Sequence, residues 1–147
     1  MTDDVKLAEL LPESYELPSQ SIEEMEGDVW SATDFPSPLV QRVYNYRKLP
    51  LSELGLEQVR LLIGQAVGLE HLVPIAIDVL DRHPRVCASM YDGDLVAVMG
   101  REEIGSYWAD HGELAERFLR AVEANIASEA NKEIQMNFLQ IRKRLKP

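Results

Sequence analysis

The 147-residue sequence has few of the residues that form disulfide frameworks or metal sites. Its one cysteine, Cys87, excludes an internal disulfide, and its three histidines are 12 and 28 residues apart, which is not metal-ligand spacing. No apolar run is long enough to cross a bilayer. The acidic start at residues 1–4 lacks the basic and apolar parts of a secretory signal. These features predict a cytoplasmic protein with no membrane partner.

The sequence also lacks the motifs of common catalytic sites. Its glycines stand singly, with neither a GxGxxG pattern nor a Walker-type run. Cys87 follows His83 by four residues, but Pro84 breaks any helix that would stack them, so Cys87 is interpreted as a small core residue. The Asp-Gly-Asp segment at 92–94 lacks the later ligands of a calcium loop and fits a turn followed by a helix cap. We therefore predict a protein that is not an enzyme and has no catalytic residues, metal or cofactor.

Negative charge is abundant and is concentrated at one end of the chain. The formal net charge is −10; residues 1–34 hold ten acids against Lys6, a net of −9, and the rest of the chain carries −1. Such a segment repels nucleic acid, whose binding depends on Lys and Arg. It would also attract a basic partner. A segment that only keeps the protein soluble explains the charge equally well.

The spacing of apolar residues predicts an all-α, compact, single-domain helical bundle at residues 38–147, preceded by an acidic, partly irregular arm at residues 1–37. Three prolines limit the arm to a short helix within residues 5–11. We expect the arm to be pinned to the body by its large apolar side chains, Val29, Trp30 and Phe35.

The positions of proline and glycine predict where the helices of the body begin and end. Three helices are expected first, the second and third forming a hairpin: Pro38 to about Lys48, Gly55 to Gly68, and about Val73 to His83. The third begins late in this prediction because Pro74 disfavours a helix interior. Residues 84–93 are expected to form a loop, since a strand over 86–91 would have no partner.

A short helix capped by Asp94 is expected at residues 95–99, followed by another turn or two at 102–108. A long helical stretch begins at Gly112, and its polar run at 127–133 either breaks it or forms an exposed middle section. The basic end of the chain suits the negative end of a helix dipole, an interpretation that we prefer to a binding patch.

Three separated segments resemble the immunity proteins of contact-dependent growth inhibition (CDI) systems. Residues 49–74 contain an Arg-Leu-Leu-Ile-Gly-Gln core, a Gly-Leu turn and a Leu-Val-Pro helix start. Residues 91–96 read Tyr-Asp-Gly-Asp-Leu-Val, and residues 22–27 with Trp30 resemble the segment before the family's first long helix. The likeness covers about half of the chain. It departs at residues 84–90, where the family has a short acidic Gly-Asp step.

The residues of the shared core are interpreted as structural. Leu61, Leu62 and Ile63 are expected to face the core, and Gly64 and Gly68 to allow close packing and a turn. We expect the polar members of the core, Arg60 and Gln65, to satisfy buried carbonyl groups.

The resemblance implies a protein that binds and neutralises the C-terminal toxin domain of a cognate effector, and such domains are often nucleases. A nuclease has a basic cleft, which suits an acidic binder. A helical adaptor or regulatory module is the alternative. The predicted contact residues are the arm acids and a second acidic patch: Glu23, Glu24, Glu26, Asp28 and Asp34, with Asp92, Glu102 and Glu103.

Overall fold

The computed structural model describes residues 4–31 and 35–146. In these two ranges the chain forms nine α-helices, two short 3₁₀ helices and no strand, which confirms the all-α prediction. The α-helices are α1 (Leu7–Leu10), α2 (Ile22–Glu26), α3 (Pro38–Tyr46), α4 (Leu56–Gly64), α5 (Leu69–Arg82), α6 (Asp94–Met99), α7 (Gly105–Asp110), α8 (Gly112–Ser128) and α9 (Lys132–Leu145). The 3₁₀ helices are Leu51–Glu53 and Glu102–Ile104.

One core joins almost all of these helices. Its fully buried side chains include Leu62 of α4, Ile77 of α5, Leu95 of α6, Phe118 of α8 and Phe138 of α9. Burying a side chain of this size stabilises the fold by about 1.5–3 kcal/mol. The apolar residues that recur along each helix in the sequence are the ones that face this core. The polar run after α8 is a break between two helices, since α9 begins only at Lys132.

The hairpin between α4 and α5 turns earlier than predicted. Helix α4 ends at Gly64, and the next turn closes with Ala66 N–H donating to the Ile63 carbonyl and Val67 N–H to the Leu62 carbonyl. Ala66 occupies the left-handed position of this Schellman-type turn, with a φ of 56°. The expected end of the helix at Gly68 was therefore wrong, because an alanine takes the place usually held by glycine.

Helix α5 begins at Leu69, so the predicted start near Val73 was also wrong. Pro74 lies inside the helix, where it forfeits one hydrogen bond to the carbonyl of Glu70. Val73 and Ile75 on either side of it are 0% and 7% exposed. Because their burial offsets the lost hydrogen bond, packing overrides the low helix propensity of proline.

Gly68 fulfils its predicted role at the turn, since it precedes α5 with a φ of 67°. A Cβ atom there would lie 2.7 Å from Cδ1 of Ile22. Ile22 is fully buried, as is Leu7, and Leu11 is 7% exposed. Residues of the N-terminal segment are thus part of the core rather than an appendage.

Helix α2 was not predicted, although its start follows a readable pattern. The Ser21 hydroxyl accepts the Glu24 N–H, and the Glu24 carboxylate accepts the Ser21 N–H, each at 3.1 Å. Of the three expected pins, Trp30 packs against the core and Phe35 lies edge-on to Tyr44 at 5.0 Å between ring centroids. Val29 is 68% exposed, so its assignment as a pin was wrong.

Candidate partner-binding surfaces

The predicted arm acids make intramolecular contacts as well as facing solvent. A Glu23 carboxylate oxygen lies 3.4 Å from the Lys48 ammonium group, and the Glu26 carboxylate accepts a hydrogen bond of 2.7 Å from Arg47. The backbone carbonyl of Asp28 accepts a second bond from Arg47 at 2.9 Å. Ion pairs therefore offset part of the charge that the sequence concentrates in this segment.

Glu24 and Asp28 are exposed, although the carboxylate of each accepts a local hydrogen bond, from Ser21 and Trp30 respectively. Asp34, the remaining predicted arm residue, lies outside the described residues.

Arg47 is the residue that fastens the acidic segment to the body. Its side chain is 1% exposed, and its guanidinium carbon lies 3.9 Å from the ring centroid of Trp30. It also bonds to Glu26 and Asp28, which precede it by 21 and 19 residues. Sequence reasoning missed it, because nothing in the local pattern at the end of α3 distinguishes a buried arginine from an exposed one.

A groove of about 640 Å³ separates the N-terminal segment from the start of α5. We call it the arm groove; its lining includes Tyr15, Glu16, Met25, Glu70, His71 and Pro74. The Tyr15 hydroxyl donates to Asp78 at 2.6 Å, and burial, followed by Asp78, raises the pKa of Tyr15. The side chain of Glu70 is 69% exposed and lies 3.4 Å from the His111 ring. The groove thus combines an apolar floor with carboxylates that can receive cations.

The second predicted acidic patch is divided by α6. Asp92 lies just before that helix, with its side chain 68% exposed and 4.0 Å from Arg85. Glu102 and Glu103 are exposed beyond the other end, in the second 3₁₀ helix. The six residues of α6 span about 9 Å at 1.5 Å per residue. Asp92 and the pair Glu102 and Glu103 therefore lie at opposite ends of this helix.

The loop at residues 84–93 is held by Asp94. The predicted cap is in fact the first helical residue of α6, and Gly93 precedes it with a φ of 90°. The Asp94 carboxylate accepts N–H groups from Ala88, Ser89 and Met90 at 2.7, 3.0 and 2.8 Å. Its own role is therefore to order the loop, in which Met90 is 75% exposed.

A second groove runs between α6 and α9 and is lined by three arginines. Two adjoining cavities, of about 340 and 370 Å³, share Arg101; Arg60 lines the first and Arg144 the second. Arg60 forms a bidentate ion pair with Glu57 at 2.8 and 2.9 Å, so its expected bond to a buried carbonyl was wrong. We call this surface the arginine groove.

Other expectations for the shared core residues have mixed outcomes. Leu62 and Ile63 are fully buried, and Leu61 is half-buried against the core, as predicted. A Cβ atom on Gly64 would lie 3.3 Å from Val98, which confirms close packing. Gln65 is exposed, so its predicted role in satisfying a buried carbonyl was wrong.

Cys87 is exposed in the loop at 84–93, so its interpretation as a core residue was wrong. Partial burial, followed by the charges of Asp94 and Asp92, raises the pKa of its thiol and disfavours the reactive thiolate. Among residues 4–31 and 35–146, no three or more His, Cys, Asp or Glu side chains form a group that could hold a metal ion.

Both grooves lie on the surface of the helical domain and carry charged side chains. Residues 24–118, which are 95 of the 147, match the family of CDI immunity proteins, and the chain belongs to this family. It is thus a toxin-neutralising immunity protein with a toxin protein as its partner. Neither the curated proteins nor the solved structures contain a match. No helix in the described part of the chain is long and apolar enough to span a membrane.

Proposed function

We propose that this immunity protein binds the C-terminal toxin domain of its cognate effector in the cytoplasm, that the toxin domain is a nuclease, and that binding alone, without catalysis, blocks it. The observation that supports this most directly is the arm groove, where two carboxylates, Glu16 and Glu70, lie beside apolar side chains. A nuclease cleft holds phosphate with cationic side chains, and those cations complement the groove.

The arm groove changes which acids we expect at the contact. Glu16 and Glu70 line it, and neither was among the predicted residues. Glu24 does not line the groove but precedes Met25, which does, and its exposed carboxylate stays part of the proposed contact. Glu23 and Glu26 already form ion pairs with Lys48 and Arg47, so we expect each to contribute less to the affinity for the toxin.

The other predicted contacts remain part of the proposal. Asp28, Asp92 and Glu103 are exposed and would extend the acidic surface, as would Glu102, which also lines one cavity of the arginine groove. Asp34 belongs to the same proposal on the strength of its sequence position.

The test uses the toxin domain encoded beside this gene, purified in an inactivated form. The proposal expects one-to-one binding with a dissociation constant below micromolar, and loss of cleavage of RNA or DNA when one equivalent of immunity protein is added to active toxin. Absence of binding at micromolar concentration contradicts the proposal. Binding without nuclease activity in the free toxin contradicts only the nuclease assignment.

A charge reversal tests the surface itself. Glu70→Lys in the arm groove should raise the dissociation constant at least about tenfold at low salt, mainly by slowing association. Glu123→Lys, at an exposed position on α8, makes the same charge change outside the groove and serves as the control. Equal effects of the two variants would show that only net charge matters.

A further inference from the structure

The arginine groove is unexpected in a chain with a net charge of −10. No ion pair within residues 4–31 and 35–146 involves Arg101 or Arg144. Arg144 donates to the carbonyl of Gly100 at the end of α6, which positions the side chain and leaves other guanidinium N–H groups available. Two arginines without a carboxylate partner thus lie beside one cavity.

The cavity beside these arginines has an apolar wall. Its lining includes both arginines, Trp108, Ile141, Leu145 and one carboxylate, the exposed Glu102. The Trp108 ring is fixed, because its indole N–H donates to the Met99 carbonyl at 2.9 Å and the ring stacks on Phe118 at 4.4 Å between centroids. A volume of about 370 Å³ is at the lower end for ligand pockets and suits one large side chain.

We infer that the arginine groove receives an acidic segment of the toxin domain, with a carboxylate at Arg101 and Arg144 and a neighbouring apolar side chain in the cavity. This inference rests on the proposed function and adds a second contact of opposite charge. Arginine binds carboxylates through paired N–H groups, so a carboxylate is the expected anion on a protein partner.

The position of the groove in the chain supports a partner-specific role. The family match ends at residue 118, whereas α9, which supplies Arg144, lies wholly beyond it. The contact surface of an immunity protein has to suit its own toxin. A groove formed partly by residues outside the matched segment can meet this requirement without altering the shared core.

The groove also continues toward an exposed apolar side chain. Its other cavity is lined by residues that include Met90, Tyr91, Asp94 and Asn137, and the backbone N–H of Met90 donates to the Asp94 carboxylate. An extended acidic segment that reaches both cavities would therefore meet an apolar anchor at each end, with Arg101 between them. Flexible methionine side chains adapt readily to a partner surface.

The first experiment is a charge reversal, measured as binding to the same inactivated toxin domain. Arg101→Glu should raise the dissociation constant about tenfold to a hundredfold. Arg120→Glu, at an exposed position on α8, is the matched control and should leave it within about threefold. If the unaltered chain binds the toxin domain but the two variants have equal dissociation constants, the inference is wrong and the proposed function stands. If the unaltered chain does not bind, both fail.

The second experiment fills the cavity without changing charge. Ala109 lines the cavity and is exposed, so Ala109→Met should obstruct it and weaken binding at least about tenfold. Ala127→Met, at an exposed position of α8, adds the same side chain elsewhere and should have no effect. Unfolding temperatures equal to that of the unaltered chain show that the variants fold. Unchanged binding of Ala109→Met to the toxin domain would overturn the inference. It would also be overturned if the free protein bound RNA and Arg101→Glu abolished that RNA binding.

Discussion

Replacing Asp94 by asparagine should destabilise the protein far more than its size change suggests. The carboxylate accepts three N–H groups: Ala88 at one oxygen, and Ser89 and Met90 at the other. Asparagine keeps one acceptor oxygen. If that oxygen faces Ser89 and Met90, an NH₂ group meets the Ala88 N–H. Hydrogen bonds to a charged acceptor are worth about 1.5–3 kcal/mol each, so a loss of about 2–4 kcal/mol is expected, a large share of the 5–15 kcal/mol typical of a domain.

The assay is urea unfolding at pH 7, followed by circular dichroism, with hydrogen exchange at Ala88, Ser89 and Met90 as a local measurement. Asp92→Asn is the control in the same segment. Its side chain is 68% exposed and 4.0 Å from Arg85, so it should cost under about 0.5 kcal/mol. The reasoning is refuted if the two variants differ by less than about 0.5 kcal/mol, or if exchange at the three amides is unchanged in Asp94→Asn.

Four further substitutions test the stability of the fold. Arg47→Met removes the bond to Glu26, whose side chain is 35% exposed, and should lower the free energy of unfolding by about 1–2 kcal/mol; an unchanged value would contradict this. Gly27→Ala and Gly68→Ala both place a side chain at positive φ, at about 1 kcal/mol each, but only at Gly68 does the Cβ meet a neighbour, so its loss should reach about 2–3 kcal/mol. Burial, aided by a nearby carboxylate, raises the pKa of Tyr107 to about 12. The unfolded chain releases this proton from about pH 10, so stability should fall between pH 10 and 12, less steeply in Tyr107→Phe.

The helices of the body could be predicted because their signals are local. Pro38 begins α3, and Gly55 is the N-cap of α4, with its N–H bonded to the Gln58 side chain, as the sequence indicated. The errors arose where a general preference is overridden, at Ala66 with its positive φ and at Pro74 inside α5. At Pro74 the lost hydrogen bond is offset by the burial of the neighbouring side chains in the core, and no window of the sequence contains that information.

The contact surfaces were less predictable for a different reason. The charge count located the acids of the N-terminal segment but could not show that Arg47 and Lys48 neutralise some of them. The arginine groove had no signal at all, since Arg60, Arg101 and Arg144 are 41 and 43 residues apart in the sequence. They line one surface only after α6 packs against α4 and α9.

The hairpin of α4 and α5 connects the two grooves. Arg60 on α4 lines the arginine groove, while Glu70 and Pro74 on α5 line the arm groove. An acidic surface alone would attract any toxin with a basic cleft. Arginines on α4, just after α6 and on α9 would penalise a toxin that places basic residues there, because like charges brought together at an interface cost several kcal/mol. Charges of both signs on one rigid support would thus allow tight binding of one toxin and rejection of others.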